Sequence, residues 1–367
     1  MSLRIESIEL RNFRNYPDAL IEGIGDITVL VGENAVGKTN LIEAVQLLTA
    51  LTSFRHSPID RLILRGQEFG SAAIKATDGN RRLDIELILD GKTRKYRLNG
   101  KAKRPLDLKG LISSVIFTPD DLDLVKGSNS GRRAALDALG SQVNKSYYTV
   151  RRDYEKVIRH KNRLLKEEAD PTLVAAIDEM IVTVGSQLAC YRAALFNRLL
   201  PSFVQKYAEI AQDREALTAA YTPSWEDSPT PETPAFTRDE ARERLAHALH
   251  ERAEEERRRG RAVVGPHADA ITFYLDGADA SHFGSQGQQR SIVLAYKLAE
   301  AAVVEEILDQ KPILLLDDVM SELDGHRREA LVDAMAGGSQ TFITTANIDY
   351  FDAAMLEKSH IVHLPLG

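Results

Sequence analysis

Gly32-Glu33-Asn34-Ala35-Val36-Gly37-Lys38-Thr39 decides the fold of this 367-residue chain. The stretch has the pattern G-x-x-x-x-G-K-T. It stands between a β-rich run, Asp26–Val31, and a helix-periodic run, Thr39–Leu51. In that setting the glycines let backbone N–H groups wrap phosphates, and the helix N-terminus adds a favourable dipole. Lys38 is assigned to the β- and γ-phosphates of ATP, and the Thr39 hydroxyl to Mg²⁺. Gly32, Glu33, Asn34, Ala35, Val36, Gly37 and Asn40 complete the candidate cradle. A strand, phosphate loop and helix in this order predict an α/β domain.

Two later stretches complete the candidate site. Ile313-Leu314-Leu315-Leu316 reads as a buried strand ending in Asp317 and Asp318. Asp317 is placed to hold Mg²⁺, and Asp318 to orient or deprotonate the attacking water. Upstream, Gly284-Ser285-Gln286-Gly287-Gln288-Gln289-Arg290 opens a helix over Ser291–Leu308. A serine and free amides at a helix N-terminus make a second anion site or, more simply, a helix cap formed by Ser285.

Outward from these motifs, the N-terminal third alternates short β-rich runs with turns. Strands are expected at Ile5–Leu10, Asp26–Val31, Ala72–Thr77, Leu83–Leu89, Lys95–Leu98 and Val115–Phe117. From about Arg132 an apolar stripe at three- and four-residue steps predicts one long helix through Leu164. Asp170 and Pro171 then cap a second helix that runs past Leu199, and the two should pack as an antiparallel hairpin. Residues 222–236 are proline-rich and read as an exposed loop. Thr237 with Glu240 forms a capping box, and that helix should stop at Gly260. Strands return at Ile271–Leu275, Pro312–Leu316, Gln340–Thr344 and Ile361–Leu364. An α/β domain is thus interrupted by a helical insertion.

Composition is that of a globular protein, 43% hydrophobic and 28% charged. No apolar run is expected to reach the ~18–20 residues of a membrane span. The lone Cys190 excludes an internal disulfide, and a cytoplasmic location is expected. A net charge of −7 argues against a globally basic DNA-binding surface, so any DNA contact must be local.

Arg11-Asn12-Phe13-Arg14-Asn15-Tyr16, the phosphate loop, Ser285-Gln286-Gly287-Gln288-Gln289-Arg290 and Leu315-Leu316-Asp317-Asp318-Val319-Met320-Ser321-Glu322-Leu323-Asp324 together resemble the bacterial RecF family, ABC-type ATPases of the SMC kind. Val115–Leu122 with Val125-Lys126-Gly127, and Gly265-Pro266-His267, fit the same family. The resemblance implies an ABC-type P-loop ATPase head with a β-rich lobe, residues 1–125 and 262–367, and an inserted α-helical arm domain, 126–261. It implies ATP-dependent homodimerisation, binding to double-stranded DNA at gap junctions, and cooperation with RecR and RecO in loading RecA. A weak DNA-stimulated ATPase would act as a switch. In that picture Lys38, Thr39, Asp317 and Asp318 of one copy meet Ser285, Gln286, Gly287 and Gln288 of the other across ATP, making Ser285 catalytic alongside Lys38 and Asp318. Asp324 would couple the two sites. Thr344 or Thr345 stands where transport ATPases carry a switch histidine. Ala35 replaces the family's usual glycine, which is tolerable on an ordinary helical or turn backbone, and Ala268 replaces its usual arginine. Gln67 is a weak counterpart of the transporter glutamine, and Thr118–Asp120 fills the equivalent strand end.

Arg55 sits where SMC-like heads place a DNA-sensing arginine. On the first arm helix Arg151, Arg152, Arg159 and Lys161 are further candidates for DNA phosphates, although a charge run is more often a solvated face. Three other readings fit the motifs less well. A transporter ATPase lacks support without a switch histidine, a P-loop kinase should lack the Ser-Gln-Gly-Gln turn, and a chromosome scaffold would need an arm longer than ~50 Å.

Overall fold

The structure, a computed structural model, describes residues 2–226, 235–351 and 353–365. The greater part of the expected proline-rich loop, residues 227–234, lies outside them. The chain packs as two compact units, Met1–Asp121 with Glu300–Gly367, and Leu122–Ala299.

In the first unit, sequence-distant strands make one parallel sheet. Its order is Ser359–His363, Ile27–Val31, Thr341–Thr345, Ile313–Asp317 and Ser114–Phe117. Ile313–Asp317 and Thr341–Thr345 are buried at every position, as strands covered on both faces must be. A six-stranded antiparallel sheet runs Tyr16–Ile21, Arg4–Phe13, Phe69–Thr77, Arg82–Asp90, Thr93–Leu98 and Lys101–Lys103. The phosphate-loop helix, Lys38–Thr49, packs against strands of both sheets and is buried from Leu41 to Thr49. One apolar core therefore includes Ile5, Ile74 and Leu87 from one sheet, Leu41 and Val45 from the helix, and Leu315 and Phe342 from the other sheet. Gln340 stitches the layers: its Nε2 donates to Ile5 O at 2.9 Å and Gly25 O at 3.1 Å, and its Oε1 accepts from Ile5 N.

In the second unit the expected single helix is two, Asn129–Val143 and Lys145–Lys166. Asn144 takes an extended backbone, and its side chain accepts from Ser146 N and Tyr147 N. Buried apolar residues recur at helical steps on both sides of the break, at Leu136, Leu139, Tyr147, Tyr154 and Ile158, which hides the interruption from periodicity. The following helix, Pro171–Ala211, is much longer than its partner at 41 residues, with Asp170 capping Thr172 N as expected. Thr237 and Glu240 form the expected reciprocal box, but the helix pauses at Arg252 before ending at Gly260. Leu217–Thr222, an unforeseen strand rich in alanine and threonine, pairs antiparallel with Ala270–Leu275.

The expectation about membrane-length segments needs correction. Pro171–Ala211 is long and apolar enough, by length and composition, to cross a membrane. Ile177, Ile181, Leu188, Phe196 and Phe203 on this helix are buried in the fold. Midway along it, the buried Arg192 is held by both oxygens of Asp137 at 2.8 and 2.7 Å. These contacts pack one side of the helix into the fold, while 33% of its apolar stretch is buried.

Candidate nucleotide site

The phosphate loop leaves the carboxyl end of Ile27–Val31, and Asp317 and Thr344 lie at the neighbouring strand ends. That end of a parallel sheet is where α/β proteins bind ligands. The Lys38 ammonium, largely buried, donates to the carbonyls of Gly32 at 2.6 Å and Glu33 at 2.8 Å. The loop thereby curls around the charge that would meet the phosphates.

Gly37 is required by geometry. Its φ is +119°, and a Cβ there would come within 2.6 Å of Asn15 Nδ2 and 2.9 Å of the Tyr16 hydroxyl. Those two residues clamp the loop from the turn between the first two strands. Asn15 Nδ2 donates to Val36 O at 2.9 Å, and the Tyr16 hydroxyl donates to Gly37 O at 3.1 Å. Burial pushes the Tyr16 phenol up to about 12, so it stays a donor. Asn40 Nδ2 donates to Asn15 Oδ1, and Arg55 Nη1 donates to Asn40 Oδ1, both at 2.8 Å. The half-exposed Arg55 is thus two side chains away from the loop backbone. Beneath it, Arg14 makes a bidentate pair with the fully buried Glu43, at 2.8 Å to each oxygen.

Ala35 does not keep the helical or turn backbone that would make it a neutral replacement for glycine. Its φ is +67°, a left-handed conformation that costs an alanine roughly 1–2 kcal/mol. Ala35→Gly removes that strain while adding some unfolded-state entropy. The expected net gain is about 0.5–1 kcal/mol in urea-melt stability. An unchanged or lower stability would contradict the strain.

The acidic pair is organised by one hydroxyl. Thr344 Oγ1 donates to Asp317 Oδ1 at 2.8 Å and accepts from Asp318 N at 2.9 Å. Thr39 Oγ1 donates to the same Asp317 oxygen at 2.9 Å. Burial raises the Asp317 pKa first of all; the two hydroxyl bonds oppose this, and the charge of Asp318 adds to it. Asp318 is also raised, by burial and then less by Glu322, with Lys38 pulling it down. Its backbone is left-handed, φ 54° and ψ 26°, directly after the strand ends at Asp317. Thr39 and Asp317 supply two hard oxygens close together, one of them a buried carboxylate that needs a cation. They fit Mg²⁺, which when bound would offset charge on phosphate oxygens.

Among the remaining expected residues, Asp324 caps the helix Gly325–Ala336 by accepting from Arg327 N. Thr118 N donates to Asp121 Oδ2 at 2.5 Å just beyond the strand beside Asp317. In the second unit, Ser285 and Gln288 form a reciprocal capping box. Ser285 N donates to Gln288 Oε1 at 2.6 Å, and Gln288 N donates to Ser285 Oγ at 3.2 Å. The helix itself spans Gln286–Leu308, so Gln286 and Gly287 form its first turn. Ala268 closes the short turn Pro266–Ala268. His267 is a core residue, its Nδ1 2.7 Å from the Tyr154 hydroxyl and its pKa brought down to about 4 chiefly by burial.

Of the DNA candidates, Lys161 must be withdrawn. Its side chain has no exposure and pairs with Asp178 at 2.5 Å and with Glu256. A buried ammonium already neutralised by two carboxylates cannot reach a phosphate without leaving them unpaired. Arg151 is engaged by Glu155 at 2.8 Å, while Arg152 and Arg159 are exposed. Sequence reasoning missed Glu43 and the clamping role of Asn15 and Tyr16. The motif that holds the latter two was visible, but its target was not.

The profile of RecF/RecN/SMC N-terminal domains matches residues 4–363. The DNA replication and repair protein RecF of Synechococcus sp. (strain JA-3-3Ab) is 37% identical over 371 residues, covering 98% of this chain and 96% of that protein. RecF of Symbiobacterium thermophilum is 39% identical over 350 residues, covering 94% and 92%. The recombination mediator RecF of the RecFOR pathway, solved as RecF–ATP, superposes with a TM-score of 0.87 at 29% identity, covering 96% of this chain and 94% of that one. The Smc head domain of Pyrococcus furiosus shares the fold, with a TM-score of 0.55 at 18% identity, covering 98% and 93%. By sequence along nearly its whole length, and by fold, this chain belongs to the RecF family of DNA replication and repair proteins.

Proposed function

We propose that the chain is an ATP-dependent DNA-binding protein of recombination, repair and replication. It dimerises on ATP, binds double-stranded DNA near single-strand gaps, and works in the cytoplasm with RecR and RecO to promote RecA loading. Slow, DNA-stimulated hydrolysis of ATP to ADP and phosphate resets the clamp. The observation that carries this reading is the joining of Lys38, Thr39, Asp317 and Asp318 around one strand end, tied by Thr344, in a member of the RecF family.

Each residue then has a task. Lys38 exchanges its two carbonyl partners for phosphate oxygens. Thr39 and Asp317 hold Mg²⁺. Asp318 orients the attacking water and takes its proton. Ser285 and the first amides of its helix, offered by a second copy, complete the phosphate shell, so that ATP adds contacts only in the dimer. The division into a head, 1–125 and 262–367, and an arm, 126–261, is a functional one. It assigns the signature turn to the head although residues 262–299 pack with the helical unit. Arg55, Arg151, Arg152 and Arg159 are the proposed phosphate contacts, so DNA affinity should fall steeply with salt.

Sedimentation tests the clamp. The wild type is expected to dimerise with ATP and Mg²⁺, whereas Ser285→Arg should bind ATP and remain monomeric, because a bulky cation replaces the small cap that faces the partner's phosphates. A wild type that stays monomeric at saturating ATP and DNA would overturn the reading.

A further inference from the structure

The second unit contains a hydrogen-bonded connection that the proposed function does not use. Gln288, the third residue of the signature helix, has its amide oxygen committed to Ser285 N. Its amide nitrogen donates to Glu215 Oε1 at 2.7 Å. The other oxygen of Glu215 accepts from the Tyr207 hydroxyl, also at 2.7 Å. Tyr207 lies in the last turns of the long helix Pro171–Ala211 and is buried. Glu215 stands in the short connection between that helix and the strand Leu217–Thr222. Next to it the backbone is pinned on both sides: Ala216 N donates to Asp276 Oδ1 and Asp276 N to Ala216 O, each at 2.9 Å.

Three features make this more than a surface contact. The carboxylate is bridged at both oxygens, so its direction is set by the arm helix on one side and the turn on the other. An amide has one donor end and one acceptor end. With Glu215 fixing the donor end, the acceptor end must point at Ser285 N, which closes the capping box. The tie is also long-range in sequence, for Glu215 lies 8 residues from Tyr207 but 73 from Gln288.

We propose that Glu215 is a positioning residue coupling the end of the arm helix to the signature turn. A shift of the arm that moves Tyr207 draws Glu215 with it and rotates Gln288, opening or closing the turn that a second copy's ATP would meet. This inference rests on the assignment of Ser285–Gln288 as a phosphate contact across the dimer.

The test measures monomer ATP affinity, thermal melting and ATP-dependent dimerisation in the full chain. Glu215→Ala should bind ATP within about twofold of wild type and melt at a similar temperature. Its dimer dissociation constant should rise about tenfold, the effect of losing one charge-assisted hydrogen bond. Gln288→Ala should weaken dimerisation at least as much, with the double variant no worse than the worse single one. Glu215→Gln keeps an acceptor for the Gln288 amide and should recover to within about threefold. Additive singles, or a Glu215→Ala defect that Glu215→Gln fails to relieve, would overturn the coupling. Wild-type dimerisation by Glu215→Ala would overturn the coupling alone, provided Ser285→Arg remains monomeric. If Ser285→Arg also dimerises, the assignment beneath it fails as well.

Discussion

Lys38→Met is expected to lower ATP affinity at least about 100-fold. The ammonium sits largely buried between the carbonyls of Gly32 and Glu33, at 2.6 and 2.8 Å. These carbonyls belong to the loop that would cradle the phosphates, so the charge is already at the binding position. A hydrogen bond to a charged group contributes roughly 1.5–3 kcal/mol, and Lys38 is placed to reach two phosphates. Losing about 3 kcal/mol corresponds to roughly a hundredfold in affinity. Methionine retains the apolar stem that packs under the loop, so the fold should survive and the effect should appear in binding. A fluorescent-nucleotide titration with Mg²⁺ reads it directly. Affinity within threefold of wild type would remove this loop as the site.

Asp318→Asn should slow hydrolysis by roughly 10²–10³-fold, within the usual range for a lost general base, while ATP binding and dimerisation persist. Asparagine tolerates a left-handed backbone nearly as well as aspartate. The φ of 54° and the bond from residue 318 N to Thr344 should therefore remain. What disappears is the carboxylate proposed to accept the water's proton. Burial holds that carboxylate above its ordinary pKa, with Lys38 restraining the rise. A raised pKa makes it a stronger base toward water. Single-turnover hydrolysis separates this from slow product release. Unchanged turnover would place the base elsewhere and leave Asp318 a structural turn residue.

The parts of the site that were legible in the sequence are those whose chemistry is local. The phosphate loop needs its glycines, lysine and threonine at fixed spacing, because backbone amides and a helix N-terminus must converge on one anion. The acidic strand announces itself by four apolar residues followed by two aspartates. The capping box at Thr237 and Glu240, and the helix start at Asp170 and Pro171, were visible for the same reason. The cap at Asn144 is not legible, because apolar residues keep helical spacing on either side of it.

Other features depended on partners far along the chain. Thr344 organises two aspartates 27 and 26 residues away, and Gln340 bonds to Ile5, 335 residues away. Nothing around Lys161 distinguishes it from the exposed arginines near it; only the approach of Asp178 and Glu256 removes it from solvent. Ala35 stands out in the sequence as a departure from the family's glycine, but only the fold shows that its backbone is left-handed.

By itself, then, the sequence determined the phosphate-loop and acidic-strand motifs, the alternation of β-rich and helical segments, and membership of a family, because each follows from short-range residue patterns. The tertiary structure alone decided which charges are available and which are spent on the fold, how Asn15, Tyr16 and Thr344 hold the site, and that Glu215 joins the arm helix to the signature turn. Burial and hydrogen-bond partnership are set by whatever the folded chain brings alongside a residue, and neighbours in sequence do not specify that.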